Sequence, residues 1–466
     1  MISVHQLEAT IGGKQLFRDL SFILNSGNRL AVIGQNGCGK TTLLRMLAGE
    51  ESPSHGSLDV SQERVVFAKQ HIEADDTLTI NDYLDVGEYP DTWRLLSEVG
   101  LIDTPLESPI GSLSGGQKTK LVLVNAFAKP STTLLLDEPT NHLDAETRLW
   151  LIHRIKAYRG IVVVVSHDRA FLNDVATTVL EIDAANQRVA LFHGNYDVYK
   201  TEKAAWRERQ QEAHDLQQRQ KREMEQWLVL KRQEASVHPS PAKGRLIRHM
   251  EHRLEREILD QEVHRPRASK DIMGAHFKGS IHASKLMARF SDVGMVYEER
   301  AIVNHLSWEI RGPARIRICG ENGSGKTTLL RLLVGEIAPN TGTVELGGGI
   351  GVGYFSQQLE SLCESDTVFE AFTKTIPQQL SEARIRAVLG AFLFTGDTIF
   401  KYIRQLSYGE RVRLQLAMLL QQEYQLLVLN ELTNHLDIPS REAIERALQT
   451  YEGASVVVSH DEYFVQ

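Results

Sequence analysis

The sequence of 466 residues lacks several features that would restrict its class. Its three cysteines, Cys38, Cys319 and Cys363, are too few and too scattered for a disulfide framework, which favours a reducing compartment. No apolar run approaches the ~20 residues of a membrane-spanning helix, and IVVVV at 161–165 predicts a buried strand. The first residues lack the basic and apolar regions of a secretory signal. A cytoplasmic protein without membrane insertion is therefore expected.

The net charge of −8 is unevenly distributed along the chain. Residues 200–270 contain 17 Lys and Arg against 12 Asp and Glu, whereas the remainder contains 35 against 48. A basic segment within an acidic protein indicates an anionic partner. The apolar fraction of 42% is typical of a globular protein, and the length allows two or three domains.

Several short phrases occur twice in the same order. GQNGCGKT at 34–41 returns as GENGSGKT at 320–327, and LSGGQ at 113–117 returns as LSYGE at 406–410. TLLLDEPTNHLD at 133–144 returns as LLVLNELTNHLD at 426–437, and VVVSHD at 163–168 returns at 456–461. The period, 320 − 34 = 286 residues, is too long for a solenoid and indicates two homologous domains. We expect α/β domains at 1–200 and 284–466, with a charged helical linker at 201–283.

Each repeat begins with a short apolar strand, a glycine-rich turn and a sequence with helical spacing, which is the context of a phosphate-binding loop. The glycines let successive N–H groups point at one anion, and the following helix adds its positive N-terminal end. Lys40 and Lys326 would reach the β- and γ-phosphates of ATP, and Thr41 and Thr327 would bind Mg²⁺. The predicted loop residues are Gly34, Gln35, Asn36, Gly37, Cys38, Gly39, Lys40, Thr41 and Thr42, and Gly320, Glu321, Asn322, Gly323, Ser324, Gly325, Lys326, Thr327 and Thr328.

A buried strand in each repeat ends in two consecutive polar residues. Asp137 suits a water-mediated contact with Mg²⁺, and Glu138 suits the polarisation of an attacking water. Asn430 and Glu431 take these places in the second repeat. Such a pair is often only a helix cap, so its catalytic interpretation depends on the phosphate loop upstream.

These motifs together resemble those of the ATP-binding cassette (ABC) ATPases. The resemblance places Gln70 and Gln357 at the family's Q-loop and His167 and His460 at its switch histidine. The segments LSGGQ at 113–117 and LSYGE at 406–410 correspond to the family's signature. The resemblance implies that the two cassettes face head to tail, with each ATP between the phosphate loop of one cassette and the signature of the other. The implied signature contacts are Ser114, Gly115, Gly116 and Gln117, and Ser407, Gly409 and Glu410. The implied catalytic residues are Glu138, Glu431, His167 and His460, and the implied metal ligands are Thr41, Gln70, Asp137, Thr327, Gln357 and Asn430.

The resemblance defines two sites with different residues. The first site joins Lys40 and Glu138 to the signature at 407–410, and the second site joins Lys326 and Glu431 to the signature at 114–117. Asn430 removes a negative charge from the second site, and Tyr408 replaces a signature glycine in the first. We expect the sites to be unequal, with the second site the slower; variation without kinetic effect is the alternative.

Two further positions depart from the family pattern. Tyr297 lies where the aromatic that stacks on adenine is expected in the second cassette, and Ile11 takes that place in the first. Cys38 is expected to act as a small loop residue, so its alkylation should block the first site unless nucleotide protects it.

The glycine-poor linker predicts two antiparallel helices, with HPSP at 238–241 as the bend. Lys243, Arg245 and Arg248 lie beside this tip. A solvated spacer is the simplest interpretation of the charges. The expected apolar stripes are Ala213, Leu216, Met224 and Trp227 on one helix and Ile247, Met250, Leu254 and Ile258 on the other.

Tandem cassettes, the absence of a membrane segment and GNYDVY at 194–199 resemble the ABC-F proteins. The resemblance implies a Mg²⁺-dependent ATPase that acts on the ribosome in translation or antibiotic resistance, as a monomer in which the two cassettes pair. It further implies that the linker contacts rRNA and P-site tRNA through their phosphates. The first cassette has no arm-sized insertion between Gln70 and Ser114, which resembles the members that dislodge antibiotics.

Other functions stay open at this point. The chain could be the energising subunit of a membrane transporter, a DNA-associated ABC ATPase, or a cassette pair that no longer hydrolyses ATP. After His460 only six residues follow, against 32 between His167 and Tyr199. We therefore expect a truncated second cassette that lacks its final strands and is less stable than the first.

Overall fold

The computed structural model describes residues 1–70, 72, 76–183, 188–237, 240–254, 256, 284–297, 300–320, 323–356, 362–375, 380–432 and 436–459. The chain divides into two compact units, one formed by Met1–Asn195 with Ser269–Gln466 and the other by Tyr196–Ala268. The first unit contains both repeats, and each repeat folds as a mixed α/β cassette. The predicted fold class is therefore confirmed.

The described part of the first cassette contains nine strands and six helices. The strands are β1 (Ile2–Ile11), β2 (Lys14–Leu24), β3 (Arg29–Gly34), β4 (His55–Asp59), β5 (Val65–Ala68), β6 (Thr133–Asp137), β7 (Ile161–Val165), β8 (Thr178–Asp183) and β9 (Arg188–His193). The helices are α1 (Lys40–Leu47), α2 (Ile80–Leu84), α3 (Thr92–Glu98), α4 (Gly115–Ala128), α5 (Ala145–Ala157) and α6 (Arg169–Val175).

The strands of the first cassette form two sheets. The larger has the order β5-β6-β7-β3-β8-β9 and is parallel except for β9, and the smaller is antiparallel with the order β2-β1-β4. Every residue of β6 and β7 is buried, as expected for parallel strands covered on both faces. This burial explains why their sequences are continuous apolar runs without alternation.

The second cassette repeats this plan within its described residues. Its strands are β10 (Leu286–Tyr297), β11 (Arg300–Arg311), β12 (Arg315–Ile318), β13 (Thr341–Leu346), β14 (Val352–Phe355), β15 (Leu426–Asn430) and β16 (Ala454–Val458). Its helices are α9 (Lys326–Val334), α10 (Val368–Thr375), α11 (Glu382–Ala391), α12 (Tyr408–Leu420) and α13 (Ile438–Gln449). The parallel sheet has the order β12-β16-β15-β14, and the antiparallel sheet has the order β11-β10-β13.

Strand order explains how distant motifs meet. In the first cassette β3, β7 and β6 are adjacent and parallel, and they lead into the phosphate loop, His167 and Glu138 respectively. The carboxyl ends of parallel strands lie at one edge of the sheet, so these three segments converge there. In the second cassette β12, β16 and β15 are likewise adjacent and parallel.

The second unit contains two helices, α7 (Tyr196–Val237) and α8 (Pro241–Leu254), which contact each other. Helix α7 ends at Val237 and α8 begins at Pro241, and of the predicted bend at 238–241 His238 and Pro239 lie outside the described residues. Helix α7 begins at Tyr196, five residues before the predicted start of the linker.

The predicted apolar stripe of α7 was only partly right. Met224 and Trp227 are half-buried and Leu228 is buried, but Ala213 and Leu216 are exposed. The side chain of Leu216 retains 58% exposure because the half-buried face follows His214, Lys221 and Met224 at heptad-like spacing instead. On α8, Ile247 and Met250 are half-buried as expected, and Ile258 lies outside the described part.

Among the described residues, no helix combines the length and the apolar character needed to cross a membrane.

Candidate functional site

The two phosphate loops have the same backbone geometry. Gly39 and Gly325 cap α1 and α9 with left-handed φ angles of 104° and 93°. A Cβ atom at Gly39 would lie 3.1 Å from the Leu16 Cβ, and one at Gly325 would lie 2.3 Å from the Ile302 Cγ2. Glycine is therefore required at both positions by conformation and by close packing.

The loop lysines are buried and held by backbone carbonyls. Lys40 Nζ donates to Gly34 O at 2.9 Å and to Gln35 O at 3.2 Å, and Lys326 Nζ donates to Gly320 O at 2.8 Å. Burial lowers the pKa of Lys326, and the neighbouring charge of Glu431 opposes that shift. Each ammonium group thus lies inside its loop, where an anion bound by the loop would meet it.

The carboxylates after β6 and β15 lie on strained backbone. Glu138 and Glu431 have φ angles of 50° and 49°, and their N–H groups donate to Val165 O and Val458 O at 2.8 and 2.9 Å. Non-glycine residues rarely adopt this conformation, and functional sites are where such strain concentrates. Both glutamates thus share the same backbone conformation directly after their strands.

Glu138 is buried, and burial is the main cause that raises its pKa to about 7. The neighbouring charge of Asp137 also raises this pKa, whereas Lys40 and Arg441 lower it. A carboxyl group with a pKa near neutrality can exchange a proton with water at physiological pH. Glu138 therefore has the properties of a general base.

His167 lies directly against Glu138. Its Nε2 is 3.2 Å from Glu138 Oε1, and its backbone N–H donates to Glu138 Oε2 at 3.3 Å. His167 is buried, with 5% of the residue's surface exposed. The structure thus brings the predicted histidine and carboxylate together in the first cassette.

The residues present fit Mg²⁺ at the first site. Thr41, Gln70 and Asp137 line one cavity, and their oxygens are the hard ligands that Mg²⁺ prefers. Asp137 supplies a buried negative charge at this place.

The second site fits Mg²⁺ less well. Asn430 Nδ2 donates to Thr327 Oγ1 at 3.3 Å, so the two predicted ligands are neighbours. In the part of the chain that the structure describes, Asn430 Oδ1 is buried and makes no hydrogen bond. This oxygen could accept from a metal-bound water, but the amide contributes no negative charge. We therefore expect weaker metal binding than at the first site.

Both signature serines cap helices. Ser114 Oγ accepts from Gln117 N at 3.3 Å, and Gln117 Oε1 accepts from Ser114 N at 2.9 Å, which forms a capping box at α4. At α12, Ser407 and Glu410 form the same box. The signature of the second cassette therefore carries a carboxylate where the first carries a neutral amide.

A cavity of about 1110 Å³ contains the first site. One wall is formed by the first cassette and the other by the second. The predicted residues on it are Asn36, Gly37, Gly39, Lys40, Thr41, Thr42, Gln70, Asp137, Glu138 and His167 from the first cassette, and Ser407, Gly409 and Glu410 with Tyr408 from the second.

A cavity of about 710 Å³ contains the second site. Its predicted residues are Gly323, Gly325, Lys326, Thr327, Thr328 and Glu431 from the second cassette, and Ser114, Gly115, Gly116 and Gln117 from the first. The predicted head-to-tail arrangement of the cassettes is thus present at both cavities.

Some predicted residues lie beside these cavities. Gly34, Gln35 and Gly320 offer carbonyls to the lysines, and Ser324 lies within its loop near Gly320. Tyr297 is 45% exposed and is absent from the described lining of the second cavity, where Ile302 lies instead. Its stacking role stays a prediction. Glu321, Asn322, Gln357 and His460 lie outside the described residues.

Cys38 is 1% exposed, and burial raises the pKa of its thiol. Asp437 raises this pKa further, while Lys40 lowers it. A buried neutral thiol reacts slowly, so alkylation of Cys38 should be slow even without nucleotide, and its effect on the first site stays a prediction.

Sequence reasoning missed several residues on the cavities. Leu16 and Ile302 occupy equivalent positions on the two cavities, and Arg413 lines the first. His142 lines both cavities and has a left-handed φ of 62°. The repeated phrase NHLD contained this histidine, but only the paired arrangement of the cassettes places it between the sites.

Comparison with known proteins agrees with this geometry. A family model described as ABC transporter matches residues 17–141 and 303–434, which together exceed half of the chain. A second model with the same description matches residues 182–271, which include α7 and α8.

Curated relatives match over nearly the whole chain. The putative ATP-binding protein YdiF of Bacillus subtilis is 30% identical over 100% of this chain and 78% of its own length. The probable ATP-binding protein YheS of Escherichia coli is 31% identical, with coverage of 100% and 77%. The energy-dependent translational throttle protein EttA of Mycobacterium tuberculosis is 30% identical, with coverage of 97% and 87%.

Among solved structures, an archaeal ribosome recycling factor, aABCE1, is similar with a TM-score of 0.69. The alignment covers 99% of this chain and 85% of that one at 20% identity, which supports the fold alone.

Proposed function

The chain belongs to the family of ATP-binding cassette ATPases, in its tandem ABC-F type, and on this premise we propose that it acts on the ribosome through two unequal ATP sites. ATP hydrolysis is the activity of this family. The observation that supports the proposal most is the first cavity, because residues of both cassettes form its walls. ATP in this cavity would bridge the cassettes, and hydrolysis would remove the bridge.

Each polar group of the first site has a chemical role in this proposal. The Lys40 ammonium binds phosphate oxygens, and Glu138 accepts a proton from the attacking water. His167 holds the Glu138 carboxylate through the 3.2 Å contact between Nε2 and Oε1. Mg²⁺, held by Thr41 and Asp137, would neutralise charge on the phosphate oxygens. Ser407 and its neighbours close the cavity from the other cassette.

The second site is proposed to hydrolyse ATP more slowly. Asn430 gives it a neutral group where the first site has Asp137, and the side-chain amide of Asn430 donates a hydrogen bond to Thr327. The first site has its own departure, because Tyr408 and Glu410 present an aromatic ring and a carboxylate to the cavity. Asn430 should slow hydrolysis more than Tyr408 and Glu410 do, because a metal ion at this position would contact the reacting phosphate itself.

Action on the ribosome is supported by the linker and by the relatives. Residues 200–270 are basic in an otherwise acidic chain, and the exposed Arg245 and Arg248 lie on α8. The name of the EttA relative refers to translation. We propose that these arginines contact phosphates of rRNA or P-site tRNA while the protein, as a cytoplasmic monomer, is in its ATP-bound form.

Sedimentation with ribosomes tests the proposal. The variant carrying Glu138→Gln and Glu431→Gln should bind ATP without cleaving it and should co-sediment with 70S particles. Omission of ATP is the control and should abolish co-sedimentation. Absence of binding at low salt, or fractionation with membranes instead, would contradict the proposal.

The role of the linker can be tested through salt dependence. Arg245→Gln with Arg248→Gln should weaken ribosome binding and reduce the slope of log affinity against log salt by about 1 to 2. Arg94→Gln with Arg384→Gln removes the same charge from exposed cassette surfaces and should leave the slope unchanged. Equal slopes for the two double variants would show that α8 does not contact phosphate.

A further inference from the structure

Two side chains of helix α13 in the second cassette, Arg441 and Glu445, contact residues beside the first site and lie outside the repeated motifs. Arg441 lies in the first turn of α13 and is 5% exposed. Its Nη1 donates to His167 O at 2.9 Å, and its Nε donates to Leu436 O at 3.0 Å. One guanidinium group therefore links the segment before α13 to the loop after β7 that contains His167 in the opposite cassette.

The carbonyl that Arg441 binds belongs to a catalytic segment. The N–H and the imidazole of His167 both contact Glu138. A shift of the His167 backbone would move both contacts at once. Arg441 thus supports the carboxylate indirectly, through the loop that holds it.

An ion pair fastens the same helix to the same loop. Arg169, two residues after His167, is 5% exposed and makes a two-pronged contact with Glu445 of α13, in which Nη1 lies 3.1 Å from Oε2 and Nη2 contacts Oε1. Glu442 lies 4.0 Å from the same guanidinium. Bidentate guanidinium–carboxylate pairs fix orientation as well as distance.

A third contact lies at the base of α13. Asp437 caps the helix by accepting from Ser440 N at 3.1 Å, and its Oδ2 accepts from Asn36 N of the opposite phosphate loop at 3.3 Å. Helix α13 thus reaches both the loop that would hold phosphate and the loop that holds the base.

In the part of the chain that the structure describes, the equivalent residues of the first cassette do not form this arrangement, and His460, the counterpart of His167, lies outside that part. Arg148 corresponds to Arg441, but its Nε lies 3.4 Å from Asp168 within its own cassette. Glu445 and Glu442 correspond to Ile152 and Leu149, which carry no charge. The mirror-image ion pair is therefore excluded by residue type.

We infer that Arg441 is a positioning residue supplied in trans for hydrolysis at the first site, and that the Arg169–Glu445 ion pair fixes α13 so that it can act. Pairing of the cassettes brings the Arg441 guanidinium to the His167 carbonyl and thereby holds Glu138 in place. Among the described residues this support is present at the first site, and the Arg169–Glu445 pair has no charged counterpart on α5, which adds a cause of inequality beyond Asn430. This inference rests on the proposed hydrolysis at the first site.

Single-turnover ATP cleavage in the full chain carrying Glu431→Gln isolates the first site without requiring the cassettes to reopen. Adding Arg441→Gln should lower the cleavage rate constant about 10- to 100-fold while the Kd for ATP changes less than about twofold. Arg446→Gln is the matched control, because Arg446 lies on the same helix but is exposed, and it should leave the rate unchanged. Millimolar guanidinium should restore part of the rate to Arg441→Gly.

Exchange of the ion pair provides a second test that does not depend on Arg441. Arg169→Glu and Glu445→Arg should each slow cleavage, and the double variant should recover most of the loss.

The outcomes separate the two proposals. Absence of cleavage in the Glu431→Gln parent would overturn the proposed function of the first site. Cleavage in the parent with an unchanged rate in Arg441→Gln, or equal losses of rate and ATP binding, would overturn the positioning role.

Discussion

Asp137 and Asn430 end equivalent, fully buried strands, and the glutamates that follow them have φ angles within 1° of each other. The backbone conformation at these glutamates is therefore the same, while the charge at the metal position differs. The signature helices show the same pattern, since Gln117 and Glu410 complete identical capping boxes with different charge. The comparison teaches that the cassette backbone fixes where a side chain points and leaves its chemistry free to diverge.

The first and largest prediction concerns the two glutamates. Glu138→Gln should lower cleavage at the first site by about 1,000-fold, because it removes the general base. Glu431→Gln should change the total steady-state turnover much less if the second site is slow. Single-turnover cleavage checks the first expectation, and the steady-state ATP turnover of each variant checks the second. Equal losses would show that the sites contribute equally.

The second prediction uses the raised pKa of Glu138. This group has a pKa of about 7 in the folded protein and 4.5 as its ordinary value, so its ionisation destabilises the nucleotide-free fold as pH rises between these values. Glu138→Gln removes this cost and should raise the free energy of unfolding by up to about 3 kcal/mol at pH 8. Near pH 4.5 the two proteins should be about equally stable. Denaturant unfolding at both pH values checks the prediction, and a pH-independent difference would contradict it.

The third prediction exchanges the metal-site residues. Asn430→Asp should tighten Mn²⁺ binding to the ATP-loaded second site about 10-fold, in a Lys40→Ala background that disables the first. Asp137→Asn, in a Lys326→Ala background, should weaken the first site by a similar factor. Electron paramagnetic resonance of bound Mn²⁺ measures both. If neither exchange changes affinity, the charge difference does not explain the inequality.

The fourth and smallest effect is expected at the signature. Tyr408 begins α12 without a left-handed φ, so glycine would relieve no backbone strain there, and only the ring would leave the cavity. Tyr408→Gly should speed cleavage at the first site about threefold. Gly115→Tyr is the matched change at the second site, where a Cβ would be 3.8 Å from His142, and should slow cleavage there. A large effect of either change would indicate that the signature residues, and not the metal position, cause the difference in rate between the sites.

Much of the fold, and the residues that each cassette contributes to the two sites, could be predicted from the sequence. The apolar runs at β6 and β7 and the glycines at 39 and 325 each impose a local structure that depends on few other residues. The linker stripe was less predictable, because α7 has many polar residues and Leu216 gave no sign that it would face outward. Helical spacing identifies a helix better than it identifies the face that is covered.

The sequence by itself determined the two α/β cassettes, the order of their motifs and the chemical types at each site. Only the tertiary structure decided that Arg441 meets His167, that His142 lies between the cavities and that burial raises the pKa of Glu138. The physical reason is that the formation of a strand or a helix depends mainly on the hydrogen bonding and apolar pattern of residues close together in the sequence. Contacts across the cassette interface and removal from water depend on residues hundreds of positions apart.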